Sequence, residues 1–386
     1  MTGVRSQKGL GAIFQGSFCT YRGKIMNKDF TYTTVKEQIN RLKSKGLIFE
    51  DTDFAYEQLK HFGYYNIISN YKEPYLIEHN DKKVFKPNTS FEQIFSLFTL
   101  DHNLRNAIIA SMLTLEEHIK AAAAEVISSS FGINQNSYLQ WNNYRDRYVK
   151  HVRFSLKRIL EDFQKMLMSD KDPIKYYREN YGVVPPWILF KGAYFSTMVN
   201  YTRLFKEPQK RQFVKLLYEC SDPLCSEKDV KTLLFDTLSI CLEYRNLAAH
   251  GGRVYDYVSN MQIRLDNPET IAPLNSDNIP FSVDHSLSLL LNLLNIFPYK
   301  QPHAIIDEAL SAEINRHLDL YECDLDILGE ILNLTIFSDS EDIIVADGKE
   351  YPIVSRKQSG FSGILIKEIP DELFSSWEVI KQVPDK

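Results

Sequence analysis

The residues best suited to chemistry lie together in the stretch EYRNLAAHGGR at positions 243–253. Arg245 carries a planar fork of N–H donors that fits phosphate oxygens. His250 carries an imidazole, whose proton leaves and returns near neutral pH. Cleavage of RNA without a metal needs both kinds of group, because a ribose hydroxyl loses a proton, charge grows on the phosphate and the leaving oxygen gains a proton. The stretch therefore has the residue types for breaking a phosphodiester.

The helix that carries this stretch decides whether the side chains can meet. Each helical residue turns about 100°, so Asn246 and His250 share one face, and the long stem of Arg245 can reach the same side. The two glycines that follow are helix terminators. They are expected to leave His250 in the last turn, where the partial negative charge favours a protonated imidazole. Arg253 then lies just beyond the end, free to bind a second phosphate.

Simpler interpretations exist for each of these charged residues. A histidine at a helix end is often a cap, and a nearby arginine often makes a surface ion pair. Glu116 with Lys120, and Asp101 with Arg105, stand four positions apart, which also fits ion pairs on a helix surface. No histidine or cysteine spacing indicates a metal site, and no glycine-rich phosphate loop occurs. We therefore predict neither a metal nor another cofactor.

The composition is that of an ordinary globular chain. Of its 386 residues, 44 % are hydrophobic and 25 % charged. A formal charge of −5 argues against a generally cationic nucleic-acid coat but allows a local basic cleft. Five scattered cysteines without a CxxC pair are typical of a reducing cytoplasm. No apolar run reaches about 18 residues, so we predict a cytoplasmic protein without a membrane span.

Periodicity divides the chain into four parts. They are a flexible basic leader at 1–28, an N-terminal helical unit at 29–85, a helical domain at 86–334 and a β-containing appendage at 335–386. The two helices of the N-terminal unit could be mistaken for a DNA-reading helix-turn-helix. The second has few basic or amide side chains to reach base edges, which disfavours that interpretation.

Helical spacing of apolar residues predicts a mainly α fold. The predicted helices cover residues 90 to about 124, 145–168, 228–250, 284–297 and 303–320, and Pro186 begins a further one. The inner face of the 228–250 helix is predicted to carry Val230, Leu233, Leu234, Thr237, Ile240, Cys241 and Tyr244. A short strand is expected at 83–85.

The tail changes to a strand pattern. Apolar residues at 343–346 precede Asp347-Gly348, a pair that supplies the positive φ of a tight turn, and then residues 349–351. This pattern predicts a β-hairpin. Residues 364–366, Ile-Leu-Ile, are expected to form a third strand.

The stretch at 245–250 matches the Arg-x4-His signature of HEPN domains, the helical bundles of many microbial defence ribonucleases. With Asn246 after the arginine and Arg253 three residues after the histidine, it resembles the abortive-infection AbiD/AbiF family, also called the Abi-2 group. Further segments resemble this family in the same order: 35–48, 63–66 with Tyr71, 100–105, 115–120 and 185–187. The resemblance covers roughly residues 33–255.

The resemblance implies a HEPN-type helical bundle that acts as an endoribonuclease without a metal and leaves a 2′,3′-cyclic phosphate. In that role His250 is the general acid or base, and Arg245 neutralises the phosphate oxygens. Asn246 orients His250 or donates to the phosphate. Arg253 and Lys120, the latter at a position aligned with an arginine of the family, are expected to bind RNA.

The resemblance also implies partners. HEPN enzymes commonly bring two Arg–His motifs together across a two-fold interface, and one motif occurs in this chain, so a homodimer is expected. The implied role is phage defence by abortive infection, as a toxin that a cognate antitoxin RNA could restrain.

The sequence leaves other functions open. Gly251 stands where a second histidine often follows the catalytic one, which could alter how the helix end presents His250. An RNA-binding scaffold that grips phosphate with Arg245 and His250 without cutting is the main alternative. A regulatory HEPN protein modified on a tyrosine is disfavoured, because Gly252 occupies the position where that tyrosine usually stands.

Overall fold

A computed structural model describes most of the chain. The described residues are 31–80, 82–146, 155–274, 286–332, 334–336, 343–346, 349–352 and 364–366. The predicted leader at 1–28 and part of the predicted 145–168 helix lie outside them. Helices dominate the described residues, which confirms the prediction of a mainly α fold.

The N-terminal residues form two helices, a π-helical turn and a β-hairpin. Their elements are α1 Val35–Lys43, α2 Thr52–Phe62, the turn Tyr65–Ser69, β1 Leu76–His79 and β2 Lys82–Phe85. Thr34 begins α1 through a capping box with Glu37. The two strands pair antiparallel with Leu76 opposite Phe85. The strand predicted at 83–85 is thus confirmed, and it has a partner strand that the sequence pattern did not reveal.

The central element is α3, Phe91–Phe131, which spans 41 residues and extends about 60 Å at a rise of 1.5 Å per residue. Ser90 begins it, because the hydroxyl accepts a hydrogen bond from the N–H of Gln93. This start was predicted, but the helix continues to Phe131, beyond residue 124 where the predicted helix ended.

The other helices follow in chain order. They are α4 Gln135–Tyr138, α5 Leu156–Leu167, α6 Ile174–Tyr181, α7 Pro186–Leu189, α8 Phe195–Arg203, α9 Glu207–Tyr218, α10 Asp222–Ser226, α11 Lys228–Ala249, α12 Leu287–Asn295, α13 Gln301–Leu320 and α14 Leu325–Leu332. Both α13 and α11 lie along α3. Every residue predicted for the inner face of α11 is buried, so that prediction is confirmed.

A buried polar cluster fastens the C-terminal helices to α3 and to Tyr75, which immediately precedes the N-terminal hairpin. Asp324 accepts hydrogen bonds from Tyr75 Oη at 2.6 Å and Gln93 Nε2 at 2.7 Å. His317 Nε2 lies 2.9 Å from Asp324 Oδ2, and its Nδ1 lies 2.9 Å from Ser96 Oγ. A serine, a histidine and an aspartate in this order resemble a hydrolase triad. Ser96 is 5 % and His317 0 % exposed, however, so no substrate reaches them and the cluster stabilises the fold.

The tail contains the predicted hairpin. Its strands are β4 Ile343–Ala346 and β5 Lys349–Pro352, which pair antiparallel. The predicted third strand is β6 Ile364–Ile366, and it pairs antiparallel with β3 Leu334–Ile336 instead of extending the hairpin. The turn residues 347 and 348 lie outside the described residues.

Candidate active site at the end of α11

Two successive glycines end α11 in a Schellman motif. The N–H of Gly251 donates to the carbonyl of Ala248 at 3.1 Å, and the N–H of Gly252 donates to the carbonyl of Leu247 at 2.9 Å. Gly251 has a φ of +73°, in the left-handed region that glycine adopts without steric cost. The helix therefore ends as predicted, with His250 as its C-cap residue.

The three residues proposed for chemistry occupy this helix end. Arg245 and Asn246 are half-buried in the last turns of α11, and His250 is exposed. Arg245 Nη1 donates to Asn246 Oδ1 at 3.2 Å, and the backbone N–H of His250 donates to the carbonyl of Asn246 at 3.1 Å. Asn246 thus links the guanidinium to the helix end. Its side chain accepts a hydrogen bond from Arg245, and its backbone carbonyl accepts one from the N–H of His250.

Asp101 of α3 holds the segment that follows α11. Its Oδ1 accepts from the backbone N–H groups of Val254 at 2.8 Å and Tyr255 at 2.9 Å, and its Oδ2 accepts from Tyr71 Oη at 2.6 Å. Asp101 is fully buried. Burial raises the pKa of this carboxyl, and the hydrogen bonds from Tyr71 and the two backbone groups act in the opposite direction. A buried carboxylate with three donors is a rigid attachment point for a loop.

Arg105, one turn further along α3, reaches the helix end itself. Its Nη1 donates to the carbonyl of Gly251 at 2.8 Å, and its Nε lies 3.4 Å from Asp101 Oδ2. The interpretation of this pair as a surface ion pair is wrong, because Asp101 is buried and Arg105 bridges it to the loop. The contact places a second positive charge beside the residue that follows His250.

His102 lies on the exposed side of Arg105. Arg105 Nη2 is 3.4 Å from His102 Nδ1. Burial and then the charge of Arg105 lower the pKa of His102. A lower pKa favours the neutral imidazole, which offers hydrogen-bonding capacity rather than charge near the helix end.

A family model described as Abi-like protein matches residues 57–256, more than half of the chain. The chain belongs to the Abi-like family. No curated protein and no solved structure gives a match. Membership supports a role in abortive infection. The Abi-like match begins within α2 and ends at Asp256, so it contains the whole helix end together with Asp101 and Arg105.

Arg253 is held by protein groups, and the expectation that it is free is wrong. Its Nε donates to Asp256 Oδ1 at 2.7 Å, and its Nη1 donates to the carbonyl of Asn70. The guanidinium also lies over the Tyr255 ring, 5.2 Å from the centroid. RNA binding by Arg253 stays a prediction.

Lys120 makes the ion pair that its spacing predicted, with Nζ 2.7 Å from Glu116 Oε1. It stands on α3, fifteen residues beyond Arg105, which corresponds to about 22 Å along the helix axis. The loop after α11 contacts Arg105 and not Lys120. RNA binding by Lys120 likewise stays a prediction, and it would concern a part of the surface away from Gly251.

The residues that sequence reasoning missed are Tyr71, Asp101 and Arg105, which position the loop. The sequence pointed to these residues only through the family resemblance, because all three lie in segments that resemble the family. Among the described residues no cluster of three or more His, Cys, Asp or Glu side chains could hold a metal ion. In the same part of the chain, no helix combines the length and apolar character needed to cross a bilayer.

Proposed function

We propose that this Abi-like protein is a metal-independent endoribonuclease of the HEPN type. The supporting observation is the Arg-x4-His motif at the tip of α11, where Arg245 contacts Asn246 and His250 is exposed. Arg105 brings further positive charge to the same tip through the carbonyl of Gly251. A phosphate placed there would meet donors from both helices.

The chemistry follows from the residue types. The ribose 2′-oxygen attacks the adjacent phosphorus as its proton passes to a base, and the bond from phosphorus to the 5′-oxygen breaks as that oxygen gains a proton. The products are a 2′,3′-cyclic phosphate and a 5′-hydroxyl. His250 performs one of the two proton transfers, and Arg245 neutralises the charge that grows on the non-bridging oxygens. Asn246, which accepts from Arg245 Nη1, orients the guanidinium.

A complete site is proposed to form in a homodimer. The reaction needs a proton acceptor and a proton donor, and each chain supplies one Arg-x4-His motif. A two-fold axis that passes close to the exposed tip of α11 would bring two copies of His250 to one phosphodiester.

The biological role that accompanies this activity is growth arrest on phage infection. Such a ribonuclease is a toxin, so it needs restraint in uninfected cells. A cognate antitoxin RNA is a suitable partner, because the donors that bind a substrate phosphate can equally bind a structured RNA that is not cut.

The experiment that tests the activity is a digest of single-stranded RNA with excess EDTA. We expect cleavage at an undiminished rate, with fragments that end in a cyclic phosphate and resist 3′-end ligation until the ends are repaired. Activity that disappears in EDTA and returns with Mg²⁺ or Mn²⁺ would contradict the proposal.

One observation favours a scaffold that binds RNA without cutting it, namely Gly251 at the position where the family often has a second histidine. Titration of the same RNA distinguishes the two functions. A scaffold binds and leaves the RNA intact over hours, whereas the proposed enzyme produces fragments whose number rises with time.

A further inference from the structure

A cavity of about 600 Å³ lies outside the α11 tip. Its wall is built from α5, the turn that leads into α6 and the start of α8. None of the residues that line it belongs to α11 or to the loop held by Asp101. The volume falls within the range of about 300–1,000 Å³ that is typical of small-molecule sites.

The cavity carries excess positive charge. Lys165, Lys171 and Lys191 line it together with two carboxylates, Asp162 and Asp172. Lys165 is balanced by Asp162, since Nζ lies 3.3 Å from Oδ1, and the Asp172 carboxylate caps a backbone N–H of α6 at 3.1 Å. Within the part of the chain that the structure describes, the ammonium groups of Lys171 and Lys191 have no hydrogen-bond or ion-pair partner. Two ammonium groups without an ion-pair partner at one cavity suit a phosphate.

An aromatic ring and an apolar floor complement this charge. Tyr194 lines the cavity and is 72 % exposed, so a ring face is available for stacking. Met166 and Ile174 form the floor beside Gly192, where an added Cβ would lie 3.4 Å from Ile174 Cδ1. Exposed aromatic rings next to lysines are the usual means by which proteins hold a base and its phosphate together.

The walls of the cavity are fixed by buried contacts. Arg178 Nη1 donates to the carbonyl of Ser169 at 2.8 Å and so holds the turn after α5. Behind the wall, the Phe163 ring packs against Phe190 and Tyr201 with centroid distances of 5.6 Å and 4.9 Å. A cavity with such walls is formed before a ligand arrives, which lowers the entropic cost of binding.

We propose that this cavity binds a nucleotide, either free or as one unit of a single-stranded RNA. The phosphate lies on Lys171 and Lys191, and the base stacks on Tyr194. The proposal is independent of RNA cleavage by Arg245 and His250, because the two sets of residues are separate. In an RNA complex the cavity would hold a segment of the chain away from the scissile bond.

The test is calorimetric titration of the full-length protein with UMP, AMP and inorganic phosphate. Three variants accompany it: Lys171→Ala/Lys191→Ala, Tyr194→Ala, and the control Lys36→Ala/Lys82→Ala, which removes the same charge from exposed lysines of the N-terminal unit. All these side chains are exposed, so thermal melting should stay unchanged. We expect UMP affinity to fall about tenfold or more in the cavity double variant and about tenfold in Tyr194→Ala, with the control like wild type. Phosphate affinity should fall only in the cavity double variant.

Competition with a short single-stranded oligonucleotide identifies the source of the nucleotide. If the oligonucleotide displaces UMP, the ligand of the cavity is a segment of RNA. If UMP stays bound, the ligand is a free nucleotide. Both outcomes support a nucleotide site. The absence of measurable UMP or AMP binding would overturn it. So would a cavity double variant that behaves like the control, and unchanged UMP affinity in Tyr194→Ala would overturn the assignment to a nucleotide.

Discussion

At the scale of single residues, the function proposed here depends on how the tip of α11 presents His250. The conformation of Gly251 sets this presentation, since Gly251 adopts a φ of +73° and its carbonyl accepts a hydrogen bond from Arg105. A side chain at this position would be strained by about 1 kcal/mol or more. Its Cβ would also lie 3.5 Å from Arg105 Nη1, which is ordinary contact. The backbone conformation, not the available space, makes glycine the fitting residue.

Gly251→Ala is therefore expected to lower the free energy of unfolding by about 1 kcal/mol and to reduce RNA cleavage more strongly than that loss explains. The matched control is Gly182→Ala, because Gly182 ends α6 with φ +67° and open space around it. Chemical denaturation should show similar losses for both variants, and a cleavage assay should show a defect only in Gly251→Ala. Equal activity in the two variants would mean that the helix tip does not position the reacting groups.

At the scale of elements, α3 holds the loop that follows α11, although the two are far apart in the sequence. Asp101 reaches the backbone of residues 254 and 255 across 153 and 154 positions, and Tyr71 joins it from the N-terminal unit. The loop after α11 is thus attached to α3, against which α13, α11 and α9 also pack.

Asp101→Ala should remove this attachment. Two backbone N–H groups would lose their acceptor, so we expect a loss of roughly 2–4 kcal/mol in unfolding free energy. Hydrogen exchange should accelerate at the amides of Val254 and Tyr255. The control is Asp236→Ala, which removes another buried carboxylate and exposes the amide of Arg264 instead. Unchanged protection of Val254 and Tyr255 in Asp101→Ala would contradict the role assigned to this carboxylate.

The burial of Asp307 on α13 predicts that the stability of the fold depends on pH. Asp307 is 2 % exposed, and burial raises its pKa from 3.8 to about 7. The folded state holds this proton more tightly than the unfolded chain, so the stability contribution present below pH 4 is lost as the pH rises towards 7. Asp307→Asn should leave the melting temperature below pH 4 nearly unchanged and raise it by a few degrees at pH 8. A variant less stable than wild type at pH 8 would show that the carboxylate has a partner when ionised.

Particular residues show how far the sequence alone leads. The inner face of α11, the start of α3 at Ser90 and the hairpin strands β4 and β5 follow from local periodicity and capping, so all were predictable. The attachment of the loop after α11 to Asp101 was not predictable, since a hydrogen bond between residues 153 positions apart leaves no pattern in the local sequence. The engagement of Arg253 by Asp256 could have been suspected, because the two stand three positions apart.

At the scale of the whole molecule, the proposed cleavage requires two chains. Each chain of 44.9 kDa supplies one Arg-x4-His motif, and the exposed position of His250 leaves the α11 tip accessible for a symmetric contact. The family match ends at residue 256, so α12, α13 and α14 lie beyond it. Nevertheless α13 packs along α3, and Asp324 joins the C-terminal helices to Tyr75 in the N-terminal unit.

A dimeric enzyme should lose specific activity on dilution. We expect light scattering to give about twice the chain mass at micromolar concentration, and the cleavage rate per chain to fall as the dimer dissociates. A monomeric mass together with a rate per chain that is independent of concentration would contradict the symmetric site and would require a second proton-transfer group from the same chain.

The most direct test of the central claim compares His250→Ala with wild type in EDTA, under single-turnover conditions and with RNA affinity measured on the same samples. Loss of a general acid or base should reduce the cleavage rate by about 10²- to 10⁴-fold. Affinity for RNA should change little, because Arg245 still neutralises the phosphate, and the fold should be unaffected, because His250 is exposed. A His250→Ala protein that cleaves RNA at the wild-type rate would contradict the account. So would one that loses RNA binding when the wild-type protein shows no cleavage.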